Sequence, residues 1–134
     1  MKKKTYPQIY GGVPQKFAQS VVVGDFIFPS GSSGRTSKDG EVSSTDPKEQ
    51  VKIALTKIKT ALEVAGGKMD DIVKVQILVK DMKDYSAIKE AEFEFYKEHA
   101  PGLYAEPPAS TVWQVVSLSK PDMLVEFDMI AIKS

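Results

Sequence analysis

Residues 46–79 read DPKEQVKIALTKIKTALEVAGGKMDDIVKVQILV, a helix and then a strand with the punctuation between them spelled out. Asp46 is a good N-cap, Pro47 suits the first helical position, and Glu49 stands at capping-box spacing. Val51, Leu55, Ile58 and Leu62 recur at helical intervals as one apolar stripe, with Lys52, Lys57, Lys59 and Glu63 off it. Gly66-Gly67 stops the helix. Ile72 to Val79 is β-branched and mostly apolar, so it reads as a strand at or near the centre of a sheet.

Upstream, residues 30–46 (SGSSGRTSKDGEVSSTD) are dense in Ser, Gly and Thr and read as one long loop, with a tight turn at Lys38-Asp39-Gly40-Glu41. Loops of this length inside a compact domain are often functional. Before it, Ala18–Val23 and Phe26–Phe28 make a hairpin about Gly24-Asp25. Residues 1–16 carry Pro7, Gly11, Gly12 and Pro14 and read as irregular, 1–13 being an N-terminal lead-in to a single domain of residues 1–134.

Downstream, a second helix runs from about Asp84 to His99, with Ile88, Ala91 and Phe95 on its buried face. After a loop with Pro101, Gly102, Pro107 and Pro108 come two strands, Thr111–Leu118 and Met123–Ile132. The order ββ, loop, α, β, α, ββ, with strands expected mostly in hairpins, predicts a two-layer α+β sandwich with the helices on one face. In the last strand Met123, Val125, Phe127, Met129 and Ala131 face one way, and Leu124, Glu126, Asp128, Ile130 and Ile132 the other. Helices cover one face. The other carries too much apolar surface to stay wet, so a second subunit is expected to cover it.

Composition narrows the function. Eighteen basic residues balance eighteen acidic ones, which argues against a nucleic-acid binder that works by neutralising phosphates. Lys2-Lys3-Lys4 reads as a solvated tail. With no cysteine, disulfides, thiolate catalysis and cysteine-based metal sites are excluded. The lysines are followed by polar residues, unlike a signal peptide, and no apolar run approaches the roughly 20 residues that span a bilayer. A cytoplasmic protein without membrane partners is expected.

Several segments together resemble one family. Lys16-Phe17-Ala18-Gln19-Ser20, Val23-Gly24-Asp25 and Phe28-Pro29-Ser30-Gly31 are similar to the P-Y-S-Q-A, V-G-N and F-x-S-G pattern of the reactive-intermediate deaminases (Rid, YjgF). Lys38-Asp39-Gly40-Glu41 resembles that family's K-T-G-E turn, and Gln50 and Ala54 fall where its E-Q-x-x-x-A helix begins. Asp71-Ile72-Val73-Lys74-Val75, Asp81-Met82-Lys83-Asp84-Tyr85, and Val125-Glu126-Phe127 with Ile130-Ala131 look like its later motifs, so that the match covers roughly residues 14–132.

The resemblance implies a chorismate-mutase-like trimer of subunits, each with about six strands, and a small-molecule site in each cleft between neighbours. No cofactor or metal is implied. Members hydrolyse enamines or imines, typically 2-aminoacrylate, to keto acids and ammonia. Such a site need only hold the substrate carboxylate and orient a water, and arginine serves because its planar fork grips a carboxylate with two bonds. The departures fall at that site. The family's P-A-R-S/T appears as Pro107-Pro108-Ala109-Ser110-Thr111, so Ala109 or Ser110 occupies the arginine position, and Arg35 is the chain's one arginine. The tyrosine of P-Y-S-Q-A is Phe17, an asparagine of the second helix is Lys89, and the glutamine after Ser-Gly is Ser32. A cysteine seen in many members falls near Thr111 or Val112.

By this resemblance the catalytic candidate is Glu126, and the substrate-binding candidates are Phe17, Gly31, Ser32, Arg35, Lys89, Ser110 and Thr111. Each has a plainer alternative. Glu126 and Asp128, about 6.5–7 Å apart on one face, either position a water or structure a subunit interface. Arg35 replaces the lost anchor or is a surface arginine; Lys89 meets an anion or is solvated. Trp113 reads as core or interface rather than a stacking platform, and His99 as a helix-terminal cation. Three function classes follow: an enamine or imine deaminase (2-aminoacrylate-like or aminomuconate-like substrate) with Arg35 or Lys89 as rebuilt anchor; a Rid-like trimer that has lost deamination and either binds a small metabolite or hydrolyses a substrate with a less acidic head group; and an endoribonuclease. The second is favoured, because losing the guanidinium removes the group that confers carboxylate affinity.

Overall fold

The computed structural model describes residues 2–134 and has one seven-stranded sheet. Strands β1 (Lys3–Tyr10), β2 (Val13–Val23), β3 (Phe26–Pro29) and the short β4 (Ser32–Ser33) precede helix α1 (Pro47–Val64). Then follow β5 (Ile72–Val79), α2 (Tyr85–His99), a short α3 (Pro101–Ala105), β6 (Ala109–Gln114) and β7 (Val125–Ile132). The strand order is β1-β2-β3-β7-β5-β6, with β4 also pairing to β7. All pairs are antiparallel except β5 with β6. The two-layer α+β sandwich expected from the sequence is the architecture found.

α1 forms where its caps dictate. The Asp46 carboxylate accepts from the Lys48 backbone N–H, and Pro47 sits at the first position. At the far end Gly66 takes φ +89°, and the Gly66 and Gly67 N–H groups donate to Glu63 O and Leu62 O. That pair of bonds is the Schellman closure, which needs a left-handed residue at this place. The stripe of α1 (Val51, Leu55, Ile58, Leu62) is buried against Ile27, Val75, Ile77, Phe127 and Met129. α2 adds Ile88, Ala91 and Phe95 to the same layer.

Two expectations are corrected. Residues 1–13 are not an irregular lead-in: Lys3–Tyr10 is a strand, and Val13 begins its partner. Gly11 and Gly12 both have positive φ (56° and 79°) and join Tyr10 to Val13 as a two-residue hairpin turn. Pro7 is accommodated because β1 is an edge strand whose register slips on both sides of it, and Pro14 because β3 pairs with β2 only from Ser20 to Val23. The last two strands are not a hairpin either. β6 ends at Gln114 and pairs parallel to β5 through the α2 crossover, while β7 inserts antiparallel between β3 and β5. A 15-residue helix between β5 and β6 supplies the crossover that parallel pairing requires.

Gln50 ties the loops around the site to α1. Its side chain is fully buried, donates to Ser44 O and Asp122 O, and accepts from the Leu124 N–H. Gly34 packs so closely on it that a methyl there would come within 2.6 Å of Gln50 Cγ. One face of the sheet carries the helices. The other exposes Phe26 and Phe28, whose rings stack at 5.9 Å, beside Ile130 and Ile132 of β7. Among the described residues no helix is long and apolar enough to cross a membrane.

Replacing Gln50 with Leu keeps the volume but strands the Leu124 N–H. It is expected to lower unfolding stability by roughly 2–3 kcal/mol in urea titrations, the cost of orphaned buried polar groups. A shift below about 0.5 kcal/mol would show that these loops do not depend on Gln50.

Candidate functional site

Strand alternation in β7 puts Val125, Phe127 and Met129 in the core and leaves Glu126 half-buried on the opposite face. Its Cα neighbours are Leu78 of β5 and Ser33 of β4. Gly31, in the link between β3 and β4, lies against the carboxylate, and any β-carbon there would collide with it. Burial raises the proton affinity of Glu126 and the nearby Asp128 carboxylate raises it further, while Lys57 and Arg35 act in the other direction.

Tyr10, at the end of β1, brings two cations together. The Arg35 guanidinium lies 4.9 Å from its ring centroid and Lys57 Nζ 5.5 Å. Arg35 Nε donates to Gly40 O at 2.7 Å, so the guanidinium is held rather than swinging free. Phe17 meets Tyr10 edge-on at 6.3 Å. Phe17, Gly31, Ser32, Tyr10 and Lys57 line one small cleft of about 20 Å³. That is room for a water and not for a metabolite. The Ser32 hydroxyl is buried and donates to Ala54 O at 2.8 Å, fastening the β3–β4 link to α1.

Lys57 is the member that the apolar stripe did not reveal. It lies three residues past Ala54 and four before Ala61, both buried, so it flanks the stripe and is itself partly buried. Burial, aided by the Arg35 charge, lowers its amine to a pKa of about 8, with Glu126 opposing.

The remaining candidates gather elsewhere. Lys89 Nζ donates to Glu92 Oε1 at 2.9 Å and lies 3.5 Å from Ser110 Oγ. Glu92 is wholly buried and also accepts the Tyr96 hydroxyl at 2.6 Å. The i,i+3 and i,i+4 spacing of Lys89, Glu92 and Tyr96 is visible in the sequence; their burial is not. Tyr96 is pushed to higher pKa by burial and by the Glu92 charge. Ser110 pairs with buried Val75 and Thr111 with Gln76, so the two β6 residues face opposite sides of the sheet. Lys74 Nζ reaches Thr111 Oγ1 at 3.4 Å. Ala109 is exposed at the start of β6. Trp113, 53% exposed, pairs with Leu78, which in turn pairs with Glu126. The His99 ring packs on Phe95 at 4.3 Å.

The structure thus collects Phe17, Gly31, Ser32, Arg35 and Glu126 with Tyr10 and Lys57 in one group. Lys89, Ser110 and Thr111 stand at the β6 edge, and β5 runs between β7 and β6.

With this geometry in hand, comparison with known proteins decides the family. The profile described as Endoribonuclease L-PSP matches residues 12–133. The chain belongs to this family, that of the Rid/YjgF proteins. A RutC family protein of Pyrococcus abyssi is 35% identical over 117 residues, covering 87% of this chain and 86% of that one. The 2-iminobutanoate/2-iminopropanoate deaminase of Escherichia coli is 33% identical, covering 87% of each. The solved structure of E. coli TdcF with bound serine superposes with a TM-score of 0.84 at 29% identity, covering 99% of this chain and 100% of that one. The Rid fold therefore accounts for the whole described chain.

The lowered Lys57 amine makes a stability prediction. Its folded pKa near 8 lies below the ordinary 10.5, so between these values the unfolded chain holds more protons and stability rises with pH. Urea midpoints are expected to rise from pH 8 to pH 10 in the native protein, and this rise should flatten in Lys57→Met. A parallel rise in the variant would place the titrating group elsewhere.

Proposed function

We propose that this chain forms a homotrimer whose clefts each bind a small metabolite between the Glu126 group of one subunit and the Lys89–Ser110 edge of the next. The observation that carries the reading is that the site is incomplete in one chain. The cleft beside Phe17, Gly31 and Lys57 has only about 20 Å³, and Lys89 and Ser110 stand at the far edge of the sheet. A neighbour seated on the open face would cover Phe26, Phe28, Ile130 and Ile132 and supply the missing wall.

The chemistry available to such a cleft is limited and specific. Glu126, with raised proton affinity, takes a proton from a water that attacks the imine carbon and returns one to the departing nitrogen. The opposite wall offers the Ser110 hydroxyl and the Ala109 methyl where the family's motif has arginine. Lys89 carries a charge beside it, but Glu92 already balances that charge. Without the guanidinium, the grip on a carboxylate from this wall weakens by roughly 1.5–3 kcal/mol, about ten- to a hundredfold. Hydrolysis of 2-aminoacrylate is accordingly expected to be weak, with a different small metabolite as the ligand.

A second reading rests on Lys89 Nζ lying 3.5 Å from Ser110 Oγ, a cation close to the arginine position. In it the chain remains an imine or enamine deaminase, as a relative's name describes. The formal net charge of +0 gives no support to RNA as the substrate.

Two measurements test the proposal. Light scattering on the eluting protein is expected to give three times the 14.7 kDa chain mass, and a stable monomer would remove the cleft altogether. A PLP dehydratase generating 2-aminoacrylate, with semicarbazide competing for it, is expected to release keto acid at the background rate when this protein is added. Ala109→Arg and Ser110→Arg, each combined with Lys89→Asn, test both candidate positions, and the one that restores the family pattern should raise that rate by about ten- to a hundredfold. Strong acceleration by the unmodified protein would favour the second reading.

A further inference from the structure

The positive charge missing from the β6 wall has a counterpart on the other side of the cleft. Lys57 is partly buried, and among the described residues no carboxylate lies within salt-bridge reach of its ammonium group. Its ammonium group lies over the face of Tyr10, which Arg35 shares. Two cations on one ring, one of them pinned by Gly40 O, make a small region of positive potential. Glu126 is the acidic group coupled to both. Partial desolvation next to a second cation, with no ionic partner, disfavours the ammonium form. By contrast Lys89 has its partner in Glu92.

We propose that Lys57, backed by Arg35, is the anion subsite of this cleft and takes the carboxylate of a small monocarboxylic ligand. The inference rests on the reading of the cleft as a metabolite site and adds the residue and the wall that hold the ligand's carboxylate. Lys57 lines the cleft together with Phe17 and Gly31, so an anion at its ammonium lies next to the Glu126 group. The groups that face Lys57 are Tyr10 of β1, Arg35 of the long loop and Glu126 of β7, with Asp128 behind Glu126. Glu49 and Lys52 of its own helix share a neighbouring groove with it. An anion favours the ammonium form, so binding near pH 8 draws a proton onto Lys57 and weakens as pH rises above that value.

The test is calorimetry with 2-oxobutanoate on the purified full chain, at pH 7 and pH 9, and at pH 8 in two buffers of different ionisation enthalpy. The native protein is expected to bind with proton uptake at pH 8 and more weakly at pH 9. Lys57→Met is expected to weaken binding about tenfold or more and to abolish the uptake. Lys57→Arg should keep the binding and lose the uptake, which separates the amine's titration from that of Glu126, Asp128 and Tyr10. Circular dichroism and the oligomer mass check that the variants are folded. Binding unchanged in folded Lys57→Met, no binding by the native assembly, or binding without proton uptake would each overturn the proposal. These failures are distinct from a monomeric protein, which would instead sink the reading of the cleft.

Discussion

β7 is hydrogen-bonded along both edges, to β3 and β4 on one side and to β5 on the other. A strand held in this way cannot slip by one residue without turning its whole apolar set toward water. Val125, Phe127, Met129 and Ala131 consequently lie under the helices, and Glu126, Asp128, Ile130 and Ile132 lie on the face without them. The same register presents a carboxylate to the Gly31 link and leaves apolar surface that the helices do not cover. Core, candidate site and expected interface all follow from one alternation.

The two polar groups differ in how their charge is balanced. At the β6 edge Lys89, Glu92 and Tyr96 form a closed set in which one cation meets one buried anion and a hydroxyl completes the bonding. Such a set is satisfied without a ligand. At the other wall Arg35 and Lys57 share Tyr10 with no carboxylate in contact with Lys57, and the amine and Glu126 each move toward the neutral form. Shifts of this kind, from desolvation together with named charges, are common at functional sites.

The elements whose signals are local were legible in the sequence. α1 begins at its aspartate cap and closes on its glycine pair, and Ile72–Val79 is a strand with the bounds expected. The first hairpin was missed because Pro7 and Pro14 argued for a loop, although Gly11-Gly12 is a turn type that joins strands directly. β6 and β7 were misjoined because strand patterns state periodicity and not partnership. Only the α2 crossover, which sets β6 parallel to β5, makes room for β7 beside β3. At the site, Phe17, Gly31 and Glu126 were named from motifs. Lys57 and Tyr10 were not, since neither belongs to the quoted motifs and Lys57 sits just off the apolar stripe.

By itself the chain's order of residues determined helix α1, strand β5 and the two faces of β7, and that the arginine of the family motif is absent. Those properties are set by capping, periodicity and identity, all of which act within a few residues. Tertiary structure alone decided that Lys57 and Arg35 converge on Tyr10, and that Lys89 is neutralised from within its own helix by a buried Glu92. Charge balance depends on distance and desolvation, and in this fold both are settled by strands and loops that lie far apart along the chain.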